Sequence, residues 1–368
     1  MSDRKRLFEP ITVGELDLPN RIAMAPLTRS RSDAEGRVPA YAADYYAQRA
    51  DAGLVISEAT NVSPGAVGYA LTPGIWSAAQ VEAWRPVVDA VHEREGRFVL
   101  QLWHTGRISH PDLHDGEAPG APSAVKPVGK AFTADGMKDM ETPRAFDTAE
   151  IPAILEDYRR AAQNAKEAGF DAVEIHSANN YLLEQFVRDS TNHREDEYGG
   201  SLENRLRFPL EVAAAVVDVW GAGRVGIRIS PATTMPGETP LDADVNATYG
   251  TYLDRLAELG LAYTHVMEGL IRESREWPDG IDPADLRRRA PGAYMANNEL
   301  DPDAAADLIA DGEADLVSFG RAYIANPDLV SRIATGAPLA EAPQEYWYGG
   351  DATGYSDWPT ATEEAAAR

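Results

Sequence analysis

Cysteine is absent from the 368 residues. That excludes disulfides, thiolate catalysis and cysteine-ligated iron–sulfur clusters. Lysine is scarce: Lys5, Lys126, Lys130, Lys138 and Lys166 are the whole complement, and arginine supplies the remaining basic charge. There is no apolar run of about 18 residues, the length from which a membrane-spanning helix is read. The opening MSDRKRLFEP has no apolar stretch of the kind a secretory signal carries, so the expected location is the cytoplasm. The glycine-rich turn GxGxxG, which cradles a dinucleotide pyrophosphate in doubly wound sheets, follows no strand-like segment. Positive charge is in deficit, 34 bases against 59 acids, for a formal net charge of −25. Such a field repels phosphate backbones and anionic lipids, so neither nucleic acid nor membrane is an expected partner.

What is present suffices for a large core. Hydrophobic residues make up 44% of the chain, far from a disordered composition. The acids are dispersed, as in Glu299, Asp301, Asp303, Asp307, Asp311, Glu313 and Asp315, rather than gathered in a tail. An ordinary acidic bacterial protein is one reading. The sharper reading, suggested by the missing lysine, is a salt-loaded cytoplasm in which dense carboxylates keep the surface hydrated.

Short apolar runs alternate with amphipathic segments. Runs at 21–28, 53–60, 97–104, 171–177, 224–230, 262–268, 293–297 and 315–319 read as strands. Helical periodicity lies between them at 78–95, 151–168, 202–220, 249–259 and 302–310. No linker divides the chain. Eight such repeats predict an α/β fold, a (β/α)8 TIM barrel spanning 1–368 as one domain, with its core at 7–340 and a C-terminal tail at 341–368. Two segments stand outside the repeat. Residues 11–19, ITVGELDLP, read as a hairpin turning at Gly14–Glu15 that plugs the barrel bottom. Residues 106–148, rich in Pro and Gly, form a long excursion after the third strand, expected over the C-terminal mouth as a lid or binding loop.

Barrel strands are covered on both faces and should be apolar throughout, so polar interruptions carry information. In VLQLWHTG, Gln101 and Trp103 share one face; in DAVEIHSANNY, Glu174 and His176 do; in VGIRIS, Arg228 opposes three apolar residues. Alternation turns Gln101, Trp103, His176 and Arg228 toward the barrel axis near the C-terminal strand ends, where barrel active sites lie. One such residue is readily a satisfied core polar group; four at one mouth are not. After the seventh and eighth strands come Asn297–Asn298 and Gly320–Arg321, the common phosphate position of such barrels. Alone, Gly320–Arg321 is equally a helix start with a surface arginine.

The motifs NRIAMAPLTRSR (20–31), QLWHTGR (101–107), HSANNYLLEQFVRDSTNHREDEYGGSLENRLRF (176–208), FGRAYIANPDL (319–329) and GYSDWP (354–359) resemble the old yellow enzyme family, and the likeness runs from residue 7 to 359. Thr28 stands where one subgroup carries cysteine, so the chain resembles the subgroup without it. The resemblance implies non-covalent FMN. By position, Ala25, Pro26, Leu27 and Thr28 would line the isoalloxazine, and Ala59 would touch it from the second strand. Gln101 would bind the pyrimidine edge and Arg228 the N1/O2 side and ribityl chain. Asn297, Asn298, Gly320 and Arg321 would hold the phosphate. Arginine near N1 suits the anionic reduced flavin.

The same resemblance assigns His176 and Asn179 to the oxygen of an activated alkene, and Tyr181 to protonation of its α-carbon. Tyr69, Trp103 and Tyr348 match aromatic positions of the substrate pocket, with core or lid packing as the alternative. The implied cycle is reduction of FMN by NADPH or NADH, then hydride transfer to the β-carbon of an α,β-unsaturated aldehyde, ketone, imide or nitroalkene. Nitrate esters or nitroaromatics are a second substrate class. From the residues alone, a barrel that binds a phosphorylated metabolite without redox chemistry remains open, as does the choice between monomer and homo-oligomer.

Overall fold

In the computed structural model, which describes residues 4–271 and 273–367, eight parallel strands close on themselves. They are β1 (Ile22–Met24), β2 (Leu54–Ile56), β3 (Phe98–Trp103), β4 (Ala172–Ser177), β5 (Val225–Ile229), β6 (Tyr263–Met267), β7 (Ala293–Asn297) and β8 (Leu316–Phe319). β8 pairs back to β1, with Val317 opposite Ile22 and Phe319 opposite Met24. A short strand, Thr60–Asn61, adds to the C-terminal half of β3. The chain is a (β/α)8 barrel. All strand residues are buried except Ala293, as a sheet covered on both faces requires.

Helices Ile151–Ala168, Leu202–Trp220 and Pro302–Ala310 have the expected bounds. The first stops where Gly169, at φ 99°, turns left-handed and donates its N–H to the last-turn carbonyls. Helix Ala78–His92 begins on a capping box between Ser77 and Gln80. It stops short of residue 95 because Glu95 is itself left-handed, at φ 60°. The helix expected at 249–259 is Val245–Ala257, started earlier by Asp244, whose carboxylate accepts from the Ala247 N–H at 2.9 Å.

The strands expected at 21–28 and 53–60 leave the sheet at Met24 and Ile56. Pro26 has no N–H for a ladder. Glu58 turns its carboxylate onto the N–H groups of Arg29 and Ser30 at 3.0 and 3.3 Å, so these residues become mouth loops instead.

The hairpin is present, Ile11–Val13 against Leu16–Leu18 with Gly14–Glu15 at its turn. Val13, Leu16 and Leu18 form one buried cluster with Ala23, Leu54, Val99, Ala172, Tyr263, Met295 and Leu316 from the N-terminal halves of the strands, so the hairpin closes the bottom. Gly14 is required there. Its φ is 57°, and a Cβ would lie 2.3 Å from the Gly223 carbonyl oxygen.

The excursion carries a hairpin, Lys130–Thr133 with Gly136–Asp139, and a parallel pair of Gly120–Ala121 with Arg144–Ala145. The Phe132 carbonyl accepts from the Ala70 N–H at 2.8 Å, tying the excursion to the loop after β2. Ala131 and Met140 join a buried cluster with Ala59, Trp103, Ile108 and Tyr181, so the excursion roofs the C-terminal mouth. The C-terminal segment returns to the loop after β1. Arg29 donates to the carbonyls of Tyr346, Trp347 and Gly354, and Tyr355 stacks on Tyr45 with centroids 3.9 Å apart. Among the described residues no helix is long and apolar enough to cross a membrane.

Candidate active site

Parallel register brings the polar strand residues together in tiers. Gln101 of β3 pairs with Glu174 of β4, His176 of β4 with Arg228 of β5, and Arg228 with His265 of β6. In the lower tier Gln101 Nε2 donates to Glu174 Oε1 at 2.7 Å. Glu174 Oε2 lies 2.9 Å from His265 Nδ1, and His265 Nε2 lies 2.8 Å from Ser318 Oγ. All four side chains are buried. Arg228 Nη2 donates to Asn297 Oδ1 at 2.7 Å, and Asn297 Nδ2 to the Ser318 carbonyl at 3.1 Å. Gln101, Trp103, His176 and Arg228 thus do converge on the barrel interior.

Above this tier is an aromatic wall. The Trp103 ring lies nearly parallel to Tyr69 and to His176, at 15° and 18°. Tyr181 stands close to perpendicular to all three, at 84°, 81° and 83° to Tyr69, Trp103 and His176. Its centroid is 5.0 Å from those of Trp103 and His176. Burial, reinforced by Arg228 and His265, holds the His176 pKa well below the ordinary histidine range. The imidazole is therefore neutral at neutral pH, and one of its nitrogens carries a hydrogen to donate.

After β4 the chain turns sharply, with Asn179 and Asn180 both left-handed at φ 56° and 57°. Such backbone costs about 1–2 kcal/mol per residue unless neighbours hold it. They do. The Asn179 N–H donates to Ser230 Oγ at 2.7 Å and the Asn180 N–H to Glu184 Oε2 at 2.5 Å. Ser230 Oγ donates to the buried Glu184 carboxylate at 2.9 Å, and Arg188 and Tyr249 donate to it as well. This network holds the turn that carries Asn179, and Tyr181 just after it packs against His176. Sequence reasoning missed Glu184 and Ser230, and it missed Glu174, His265 and Ser318 as a connected set.

The other expected contacts surround this centre. Ala25 is buried, its N–H donating to the Phe319 carbonyl at 2.9 Å; Pro26, Leu27 and Thr28 follow, partly exposed, in the loop after β1. Ala59 shares the cluster of Trp103 and Tyr181. At the β7–β8 end, Asn298 adopts φ 99°, but its side-chain amide donates to the carbonyls of Glu268, Leu270 and Ser274 at 2.7, 3.0 and 3.2 Å. The side chains of Asn297 and Asn298 are thus engaged with the protein, and the Asn297 carbonyl accepts from the Glu268 N–H at 3.1 Å. Gly320 lies beside Leu27, and Arg321, 49% exposed, is paired with Glu299. Tyr348 is 46% exposed and sits in the C-terminal segment held by Arg29.

The barrel mouth suits a flavin by the polar atoms it presents. Among the described residues, Arg228 Nε, His176 Nδ1, Trp103 Nε1 and Asn179 Oδ1 are buried with no protein hydrogen-bond partner. Buried unpartnered atoms also occur elsewhere in the chain, but these four sit together on residues that the resemblance assigns to cofactor and substrate. A planar ring system edged with carbonyls and an N–H suits an arginine donor in the interior below an aromatic wall. Arg321, just after β8, is the cation at the β7–β8 end and is engaged there by Glu299.

Comparison with known proteins gives a consistent picture. Residues 6–340 match the model of the NADH:flavin oxidoreductase / NADH oxidase family. The chain is 45% identical over 367 residues to 12-oxophytodienoate reductase 1 of Oryza sativa subsp. japonica, covering 97% of this chain and 93% of that protein. Morphinone reductase, solved in complex with tetrahydroNAD, superposes with a TM-score of 0.90 at 47% identity, covering 96% of this chain and 97% of that one. The old yellow enzyme homologue from Zymomonas mobilis does so with 0.92 at 41%, covering 96% and 99%.

Proposed function

Since the chain belongs to the NADH:flavin oxidoreductase / NADH oxidase family, that of the old yellow enzymes, and is an NAD(P)H-dependent oxidoreductase of that type, we propose that it is an FMN-dependent ene-reductase. Its substrates are α,β-unsaturated carbonyl compounds and nitroalkenes. The observation that carries this reading is the meeting of His176, Trp103 and Tyr181, centroids 5.0 to 6.3 Å apart, at the mouth of a barrel whose interior presents Gln101 and Arg228.

Gln101, Arg228, Ala25, Pro26, Leu27, Thr28 and Ala59 would hold the ring system, and Asn297, Asn298, Gly320 and Arg321 the phosphate. When bound, FMN supplies a two-electron hydride carrier, charged by NADPH or NADH and discharged onto the β-carbon of the alkene. A neutral His176 N–H and the Asn179 amide donate to the substrate's carbonyl or nitro oxygen, as an oxyanion hole does, and so draw electron density away from the β-carbon. Tyr181 gives its hydroxyl proton to the α-carbon, which balances the hydride and completes saturation of the double bond. Tyr69, Trp103 and the excursion exclude water, with Tyr348 at the rim.

Thr28 supports placement in the subgroup that lacks cysteine there. The dispersed acids and scarce lysine support a halophilic member of the family, working in the cytoplasm on small molecules as a monomer or homo-oligomer. Flavin extraction tests the cofactor assignment: the purified protein should be yellow and release FMN. Release of FAD, or failure of FMN to colour the protein, contradicts it.

A further inference from the structure

We infer that Glu174 is a positioning residue for the cofactor, fixing which end of the Gln101 side-chain amide is presented to the ligand. The inference rests on the reading that Gln101 meets the pyrimidine edge of FMN. A glutamine amide has a donor end and an acceptor end of nearly the same shape, and rotation by half a turn exchanges them. At most sites the partner decides which end is offered. Here Glu174 decides it from beneath.

Ser57 and His265 hold the Gln101–Glu174 pair from either end. Gln101 and Glu174 face each other across the β3–β4 ladder, and neither is more than 1% exposed. Gln101 Nε2 lies 2.7 Å from Glu174 Oε1, and the Gln101 main-chain N–H is held by Ser57 Oγ at 3.1 Å. The second Glu174 oxygen lies 2.9 Å from His265 Nδ1, and the far nitrogen of that ring is fastened to Ser318 at 2.8 Å. The chain Gln101–Glu174–His265–Ser318 thus crosses the barrel from β3 to β8.

An ionised carboxylate only accepts hydrogen bonds, so Gln101 must donate to it. Burial works against the Glu174 carboxylate, but His265, Arg228 and the Gln101 amide outweigh it and keep its pKa below the ordinary range. His265, the first of these partners, has its own pKa lowered by burial and opposed by Glu174. With Nε2 turned to Glu174, the amide oxygen is turned the other way, so the ligand meets an acceptor, with the second Nε2 hydrogen to its side. The pyrimidine edge of a flavin carries one N–H, at N3, between two carbonyls. An acceptor meets N3; a donor would meet the carbonyls. Glu174→Gln keeps the shape but supplies both a donor and an acceptor, so the Gln101 amide regains its choice.

The test compares FMN with N3-methylated FMN, which lacks that hydrogen. Full-length wild type, E174Q and Q101A are stripped of flavin and refilled from an equimolar mixture of the two, and the bound ratio is read by chromatography. The methyl group's bulk affects all three proteins, so differences between them isolate the N3 contact. Wild type should prefer FMN over the methylated form by roughly tenfold more than Q101A does, the range one net hydrogen bond supplies. E174Q should fall toward the Q101A value. If Q101A loses the preference but E174Q keeps it, the Glu174 inference is overturned while the reading of Gln101 stands. If Q101A keeps the wild-type preference, the reading of Gln101 fails and the inference with it. Should E174Q not fold, the wild type alone decides. Nitrogen-15 NMR of the flavin-free protein should show slowly exchanging Gln101 side-chain amide protons; free exchange with solvent overturns the inference.

Discussion

The phenol oxygens of Tyr69 and Tyr181 lie 3.2 Å apart, where the loop after β2 meets the turn after β4. Either hydroxyl can be the donor, and the contact orients both. Tyr69 is also parallel to Trp103, so the loop after β2 and the excursion that roofs it together fix the direction of the proposed proton donor.

Tyr181→Phe should therefore separate the two half-reactions. Alkene reduction should fall by roughly 10²- to 10⁴-fold, the usual contribution of a general acid. Reduction of the flavin by NAD(P)H should change little, because no carbon is protonated in it. Rapid-mixing kinetics of each half-reaction check this; equal losses in both would remove the proton-donor role. Nitroalkene reduction should suffer less, since water can protonate the nitronate.

His176→Ala and Asn179→Ala should each weaken the binding of phenols, whose oxygen would take the position of the substrate oxygen. Loss of one donor at such a site costs about 3 kcal/mol. Titration of the flavin spectrum with a phenol measures it. Unchanged affinity in both variants would dissolve the pairing.

Much of this architecture was legible in the chain, for a physical reason. Strands covered on both faces must be apolar, so polar residues such as Gln101 and Arg228 stood out, and period-two alternation gave their direction. Alternation names a face, however, and not a partner across the barrel. His265 interrupts YTHVM much as His176 interrupts its strand, yet nothing local says that it reaches Glu174. The adjacent Asn179 and Asn180 are a mild signal for left-handed backbone, but the carboxylate that holds the turn comes from Glu184, with Ser230 from beyond β5. After β7, Asn298 takes a positive φ, which asparagine tolerates, while its side chain donates to the carbonyls of Glu268, Leu270 and Ser274.

Glu58 makes stability depend on pH. Burial raises its carboxyl to about 7 from the ordinary 4.5. Between those values the folded protein holds a proton that the unfolded chain has released, so this residue makes stability fall as pH rises through the window. Glu58→Gln can still accept from Arg29 and Ser30 but has no proton to lose. Relative to wild type, the variant should gain stability steadily from pH 4.5 to 7 and then level off, by about 3 kcal/mol in all. Denaturant midpoints of both proteins across that range decide it; a constant difference would mean that Glu58 does not titrate there.

Salt should stabilise the protein. With a net charge of −25, carboxylates repel over a Debye length of about 10 Å at 0.1 M salt, and over only about 3 Å at 1 M. Unfolding spreads the charges, so screening favours the folded state. The thermal midpoint should climb from 0.1 M toward molar KCl, and an uncharged osmolyte should not reproduce the whole effect. A flat or falling curve would make the acidity incidental and leave the enzyme assignment untouched.

The most direct test of the ene-reductase reading is a single anaerobic experiment on the purified protein, followed at the flavin absorbance band. NADPH or NADH should bleach the yellow colour. Addition of a cyclic enone without oxygen should then restore it, with one equivalent of saturated ketone formed per flavin. If the bleached protein stays colourless with enones and nitroalkenes alike, the ene-reductase reading is contradicted.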